Sequence, residues 1–267
     1  MVDISNLISH RFRGFSEHEN TIAGIEAALD FGVRHLEFDI RVALCGTPMI
    51  YHDEYTLDGQ GKVHKLCEVK AADFKALGGV FGRIPTAYDL FAAVAAHKNK
   101  NAQLLIDIKD AGFEREIQAI VRMNGLERRV TYVSWVPESL YAMHALEPDA
   151  DYCLSYWCKK PGAKIRANHK VFSAAKGHVK RPARQYVHGE RSGWFIDGAL
   201  QGDLRNIVTS ICVPQDMVTR ALVENYHKDG IKVSTFSYID WEHIKDHKER
   251  FNIDLYFIDN KKVFDEL

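Results

Sequence analysis

Glu37 and Asp39 stand two residues apart inside HLEFDI, residues 35–40. Apolar and aromatic side chains dominate that run, so it reads as a strand. On a strand, residues i and i+2 point to the same face. Both carboxylates therefore face one way, and Leu36, Phe38 and Ile40 face an apolar layer. Two like charges on a half-buried strand are costly unless something neutralises them. A hard divalent cation does so, because Mg2+ and Ca2+ take carboxylate oxygens. Thirteen residues after Asp39 comes His52, followed by Asp53, at the end of PMIYH. A histidine delivered beside a carboxylate pair suggests acid–base chemistry next to a metal.

Three further groups extend the set: His10-Arg11, Glu19-Asn20-Thr21 and Asp107-x-Lys109. Glu37, Asp39 and Asp107 could hold one cation, with Glu19 nearby. His10 and His52 could serve as base and acid. Arg11 and Lys109 could balance an anion such as phosphate. Phosphodiester cleavage needs these parts: a cation on the non-bridging oxygens, cationic clamps, a proton acceptor and a proton donor. Mg2+ or Ca2+ is favoured over Zn2+, because no cysteine or paired histidines join the carboxylates. Replacing Asp39 by Ala is expected to abolish turnover and leave the fold intact.

Those residues need a frame. LISH (7–10) is a short strand, and IAGIEAALDFG is a helix that Asn20-Thr21 can cap and Gly32 ends. RHLEFDI follows as a strand, and strand–helix–strand order at this spacing implies parallel pairing. PMIYH is a short strand, EYTLDGQGKV is turn-rich, and VKAADFKAL and TAYDLFAAVAAHK are helices. Alternation continues with strands at AQLLIDIK (102–109), RVTYVSW (129–135), ADYCLSYW (150–157), NIVTSICVP, IKVSTFSY and IDLYFID. About eight main strands alternate with helices, which means a parallel sheet. Length and strand count favour a closed (β/α)8 TIM barrel, with chemistry at the C-terminal strand ends. An open doubly wound sheet is second, but HRFRGFS lacks its GxGxxG spacing.

The 267 residues suit one such barrel, here a single domain over 1–267. A net charge of −1 implies no nucleic-acid or membrane partner, and the residues collected above point to a small-molecule phosphodiester as the substrate. No apolar run approaches a bilayer span, and MVDISNLISH is not a signal peptide. Five scattered cysteines, with no CxxC, read as reduced thiols of a cytoplasmic protein. One stretch breaks the rhythm, from Cys158 to about Arg205. Residues 159–191 carry ten of the 35 Lys and Arg and one of the 36 acidic residues, leaving the rest at −10. The stretch reads as a basic insertion after the fifth strand: either a solvated loop or a substrate lid anchored by Tyr186, Trp194 and Phe195.

The ordered set resembles the glycerophosphodiester phosphodiesterases, whose pattern reads HRG…PENT…E-x-D…HD…E-x-K. The residues carrying the resemblance are His10-Arg11, Glu19-Asn20-Thr21, Glu37-x-Asp39, His52-Asp53 and Asp107-x-Lys109. It implies a TIM barrel, a divalent cation and hydrolysis of a glycerophosphodiester to glycerol phosphate and an alcohol. By analogy, His52 is the leaving-group acid. Phe12 stands where the family has Gly, His18 where it has Pro, Asp107 for the commoner Glu, and Phe236 where Trp is frequent. LDGQG replaces an Arg-Thr-Thr-like stretch. The Asp-x-Lys pair also looks like spider-venom sphingomyelinase D, which lacks the HR…ENT set. Alternatives are a catalytically silent phosphoester-binding barrel, or action on lysophospholipid or sugar phosphodiesters. Trp135 is either packing or pocket wall.

Overall fold

The structure is a computed structural model that describes residues 2–158, 195–196 and 199–267. Its main sheet joins β1 (Leu7–His10), β2 (His35–Val42), β6 (Gln103–Ile108), β7 (Val130–Ser134), β8 (Asp151–Ser155), β11 (Ser210–Pro214), β12 (Lys232–Tyr238) and β13 (Leu255–Ile258). All pair in parallel in that order, and β13 returns to β1 while β1 pairs with β2. The sheet is thus closed, a TIM barrel, and the open-sheet alternative falls.

The period-two reading of HLEFDI holds on both faces. Leu36, Phe38 and Ile40 are fully buried in the layer between strands and helices. The other face looks into the barrel. There Ile8, Leu105, Val133, Cys153, Cys212 and Phe257 form a separate apolar plug. Two residues further along β1, β6 and β13, the same face carries His10, Asp107 and Asp259. Strand alternation therefore puts an apolar floor directly beneath a polar layer.

Between β2 and β6 the chain departs from a plain crossover. β3 (Pro48–Ile50) runs antiparallel to β2, so PMIYH supplies no barrel strand. EYTLDGQGKV opens a hairpin, β4 (Tyr55–Leu57) with β5 (Val63–Lys65), which runs two residues past it. VKAADFKAL breaks into a 3-10 turn at Ala71–Asp73 and a short helix at Phe74–Leu77. Gly79 explains the stop: at φ 56°, a Cβ there would lie 2.7 Å from the carbonyl carbon of Asp58. The segment ends where the hairpin packs on it.

Helix starts follow their caps. Thr21 accepts from the Gly24 N–H at 3.1 Å to open α1 (Ile22–Phe31), and Thr86 opens the helix Ala87–Ala96. A six-residue helix, Gly202–Ile207, overlaps the end of the stretch read as lacking period and the start of NIVTSICVP. Beyond β8, the backbone of β9 (Trp157–Cys158) pairs in parallel with that of β10 (Phe195–Ile196). Positions 159–194 of the expected lid, with all ten of its basic residues, lie outside the described residues. Cys45, Cys67, Cys153 and Cys212 are free thiols.

Candidate active site

The barrel mouth gathers every residue singled out for chemistry. β1 ends on His10, and Arg11 turns away at φ 57° while its N–H donates to the Glu37 carbonyl at 2.9 Å. Asp39 on β2 and Asp107 on β6 are register partners, and His10 is the partner of Glu37. Glu37, Asp39 and Asp107 each offer a carboxylate oxygen within 4.8 Å of the others. Lys109 follows two residues after Asp107; its Nζ donates to Asp107 and lies 2.9 Å from Asp39 Oδ1. Arg11 Nε lies 3.1 Å from Asp39 Oδ2. Asn20 does not cap the helix. It donates Nδ2–H to Asp39 Oδ2 at 2.9 Å, at φ 57°.

Three buried carboxylates against two cations leave one net negative charge in this cluster. That charge is unevenly held. Burial, reinforced by Asp39, pushes the Glu37 carboxyl well up, and burial also raises Asp107. Burial works the same way on Asp39, but Lys109 and Arg11 outweigh it and hold Asp39 well below the carboxylate range. Asp107 Oδ1 is buried without a hydrogen bond among the described residues, and Asp39 Oδ1 has only the Lys109 ammonium at 2.9 Å. An under-satisfied buried carboxylate oxygen is what a hard cation would satisfy. The donor set, all oxygen, fits Mg2+ or Ca2+ and not a thiolate-seeking metal.

Each histidine is held by a carboxylate at Nδ1. His10 bonds Asp259 Oδ1 at 2.5 Å, and His52 bonds Asp53 Oδ1 at 2.7 Å. With a carboxylate accepting at Nδ1, the neutral ring carries its proton there and leaves Nε2 as acceptor. His10 Nε2 lies 3.7 Å from Glu37 Oε2, on the site side of the ring. The peptide of His52 is clamped as well: Arg41 Nε donates to its carbonyl at 2.8 Å, and Asp110 holds Arg41 at 2.7 Å.

Asp259 is a residue that motif reading passed over. It sits just beyond β13, inside the IDLYFID run, on the face that points into the barrel. The signal was available: an acid closing the last strand faces the end of the first, where His10 stands. Glu19 lies off the carboxylate triad. It pairs with Arg11 NH1 at 3.3 Å and with Arg13 Nε at 2.7 Å. Trp135 and Phe236, at the ends of β7 and β12, meet edge-on at 5.8 Å and are half-buried.

Burial and the neighbouring Arg11 push His10 down to about 4 and His52 to about 3. Both groups then bind protons more weakly folded than unfolded. As pH falls, the unfolded chain gains these protons near its usual 6.5, and the folded protein only near the lower values. Stability from this source is present above the unfolded value and declines through that window. The melting temperature of the metal-free protein should therefore drop between about pH 7 and about pH 5. A double His10→Gln, His52→Gln variant should show a shallower decline; an unchanged slope would remove the histidines from the account.

A TIM barrel with three carboxylates, two cations and two histidines at its mouth carries the groups a phosphoric diester hydrolase needs. The profile of the Glycerophosphoryl diester phosphodiesterase family matches residues 8–260. A glycerophosphodiester phosphodiesterase of Caldanaerobacter subterraneus subsp. tengcongensis is 29% identical over 168 residues, covering 57% of this chain and 67% of that protein. Among solved structures, a glycerophosphodiester phosphodiesterase from Parabacteroides distasonis superposes with a TM-score of 0.69 at 16% identity, over 99% of this chain and 97% of that one. An Oleispira antarctica phosphodiesterase, solved with the product sn-glycerol-3-phosphate, gives 0.67 at 18% identity, over 97% and 95%. The chain belongs to the glycerophosphoryl diester phosphodiesterase family.

Proposed function

We propose that the protein hydrolyses a glycerophosphodiester to glycerol phosphate and an alcohol, with one divalent cation, Mg2+ or Ca2+, held by Glu37, Asp39 and Asp107. The convergence of those three carboxylates within 4.8 Å, beside Arg11 and Lys109, carries the reading. A dication would turn the cluster's single negative charge into a single positive one, which a phosphodiester monoanion neutralises. When bound, the cation would polarise a phosphoryl oxygen as a Lewis acid.

In this reading Arg11 and Lys109 hold the remaining phosphate oxygens and favour the charge built up in the transition state. His10 Nε2 takes the proton from the attacking oxygen, either water or a hydroxyl neighbouring the phosphate. His52 protonates the departing alkoxide through Nε2. The arriving negative charge favours the imidazolium that an acid must be, and Asp53 stabilises it from Nδ1. Trp135 and Phe236 wall the alcohol side. Residues 1–267 form one catalytic domain, with an insertion at about 158–205.

The test is a substrate panel run with and without EDTA. Glycerophosphodiesters should turn over, stop on chelation and recover with Mg2+ or Ca2+. Activity that survives chelation would remove the metal. Faster turnover of lysophospholipids or sugar phosphodiesters would move the assignment to those alcohols.

A further inference from the structure

Arg13 has no part in the roles above, yet it joins two of them. It lies in the loop between β1 and α1 and pairs with two carboxylates at once: Nε with Glu19 Oε2 at 2.7 Å, and NH1 with Asp259 Oδ2 at 2.6 Å. Each carboxylate spends its other oxygen on a group of the site. Asp259 Oδ1 bonds His10 Nδ1 at 2.5 Å, and Glu19 Oε1 meets Arg11 NH1 at 3.3 Å. Arg11 continues to Asp39 at 3.1 Å. The result is one chain of alternating charge from His10 through Asp259, Arg13, Glu19 and Arg11 to Asp39.

The backbone is shaped to close that chain. Arg11 and Phe12 both adopt left-handed conformations, at φ 57° and 60°, and the Asn20 N–H donates to the Arg11 carbonyl at 2.8 Å. Gly14 follows at φ 82°, where a Cβ would fall 2.7 Å from the Cβ of Lys261. The loop therefore lies directly on the chain leaving β13, which brings Arg13 against Asp259. A guanidinium suits the position, since its separate nitrogens engage two carboxylates in a fixed fork.

We propose that Arg13 is a positioning residue that couples the His10 base to the Arg11 phosphate clamp, resting on the roles given to those two residues above. Without it, Asp259 is free to turn from His10, and Glu19 pairs more fully with Arg11 and draws it from the phosphate. One substitution then damages both proton transfer and anion binding.

The experiment compares Arg13→Met and Arg13→Lys with the wild type in the full chain. It reads kcat, inhibition by inorganic phosphate, melting temperature, and the His10 tautomer by 15N NMR of the metal-free protein, assigned through His10→Gln. Arg13→Met should lower kcat by about 100-fold, the scale of a small misplacement of a reacting group. Phosphate inhibition should weaken roughly tenfold, as for residues sharing one network. His10 should lose its single Nδ1–H form, and added guanidinium should restore part of both kinetic losses in Arg13→Met alone. Arg13→Lys keeps the charge for folding but lacks the fork, and its kcat should still fall about tenfold. Near-normal kcat and phosphate inhibition in folded Arg13→Lys, or a purely thermal defect in Arg13→Met without guanidinium response, overturns the proposal. If the wild type hydrolyses no phosphodiester, the functional reading fails instead, while the His10 tautomer in Arg13→Met still decides Arg13.

Discussion

Asp39→Asn should reduce turnover by about 10³-fold or more even at saturating Mg2+, the largest effect expected of a near-isosteric change in this site. Asp39 is fully buried and meets Lys109 at 2.9 Å, Arg11 at 3.1 Å and Asn20 at 2.9 Å. Within the triad it is the one carboxylate whose charge the surroundings favour, while Glu37 and Asp107 are pushed the other way. An amide removes that charge and takes from Arg11 and Lys109 the one carboxylate that both of them meet. Breaking a buried ion pair from one side is worth about 3–5 kcal/mol, so the melting temperature should fall as well. Two flanking cations thus change the expectation that Asp39→Ala spares the fold: the fold should survive with a lower melting temperature. Turnover within tenfold of wild type, measured with Mg2+ titrated to saturation, would take Asp39 out of the mechanism.

Much of this mouth was legible because strands keep a strict period. Glu37 and Asp39 share a face by spacing alone, and Leu36, Phe38 and Ile40 are buried on the opposite one. Asp107 and Lys109 repeat the device one strand over. What spacing does not carry is pairing between distant segments. Asp259 meets His10 because the barrel closes β13 on β1, a fact of topology and not of local pattern. Arg13 likewise reads as an ordinary loop arginine until closure supplies its second carboxylate. The hairpin Tyr55–Leu57 with Val63–Lys65 was hidden for a different reason. Its strands are short and its turn residues dominate the composition, so the stretch looked like loop. Asn20 misled in the same local way: Asx residues before a helix usually cap it, but here Thr21 does so and Asn20 serves Asp39.

His52→Ala should lower turnover of substrates with alkyl leaving groups by about 10²–10⁴-fold, the range for general acid catalysis. The ring and the peptide that carries it are both held. Asp53 takes Nδ1 at 2.7 Å, and Arg41 holds the His52 carbonyl at 2.8 Å, so Nε2 has one direction to face. An alkoxide leaves poorly without a proton, whereas a nitrophenolate leaves without help. The same variant should therefore lose far less on a nitrophenyl phosphodiester than on a glycerophosphodiester with an aliphatic alcohol. Asp53→Asn should show the same selectivity at smaller amplitude, because it loosens the ring without removing it. His10→Ala should behave differently, losing activity on both substrates, since each needs its nucleophile deprotonated. The comparison takes four proteins and two leaving groups under one buffer. Equal losses on both substrates in His52→Ala would show that His52 does not protonate the leaving group, and the acid would then be sought among the other groups at the mouth.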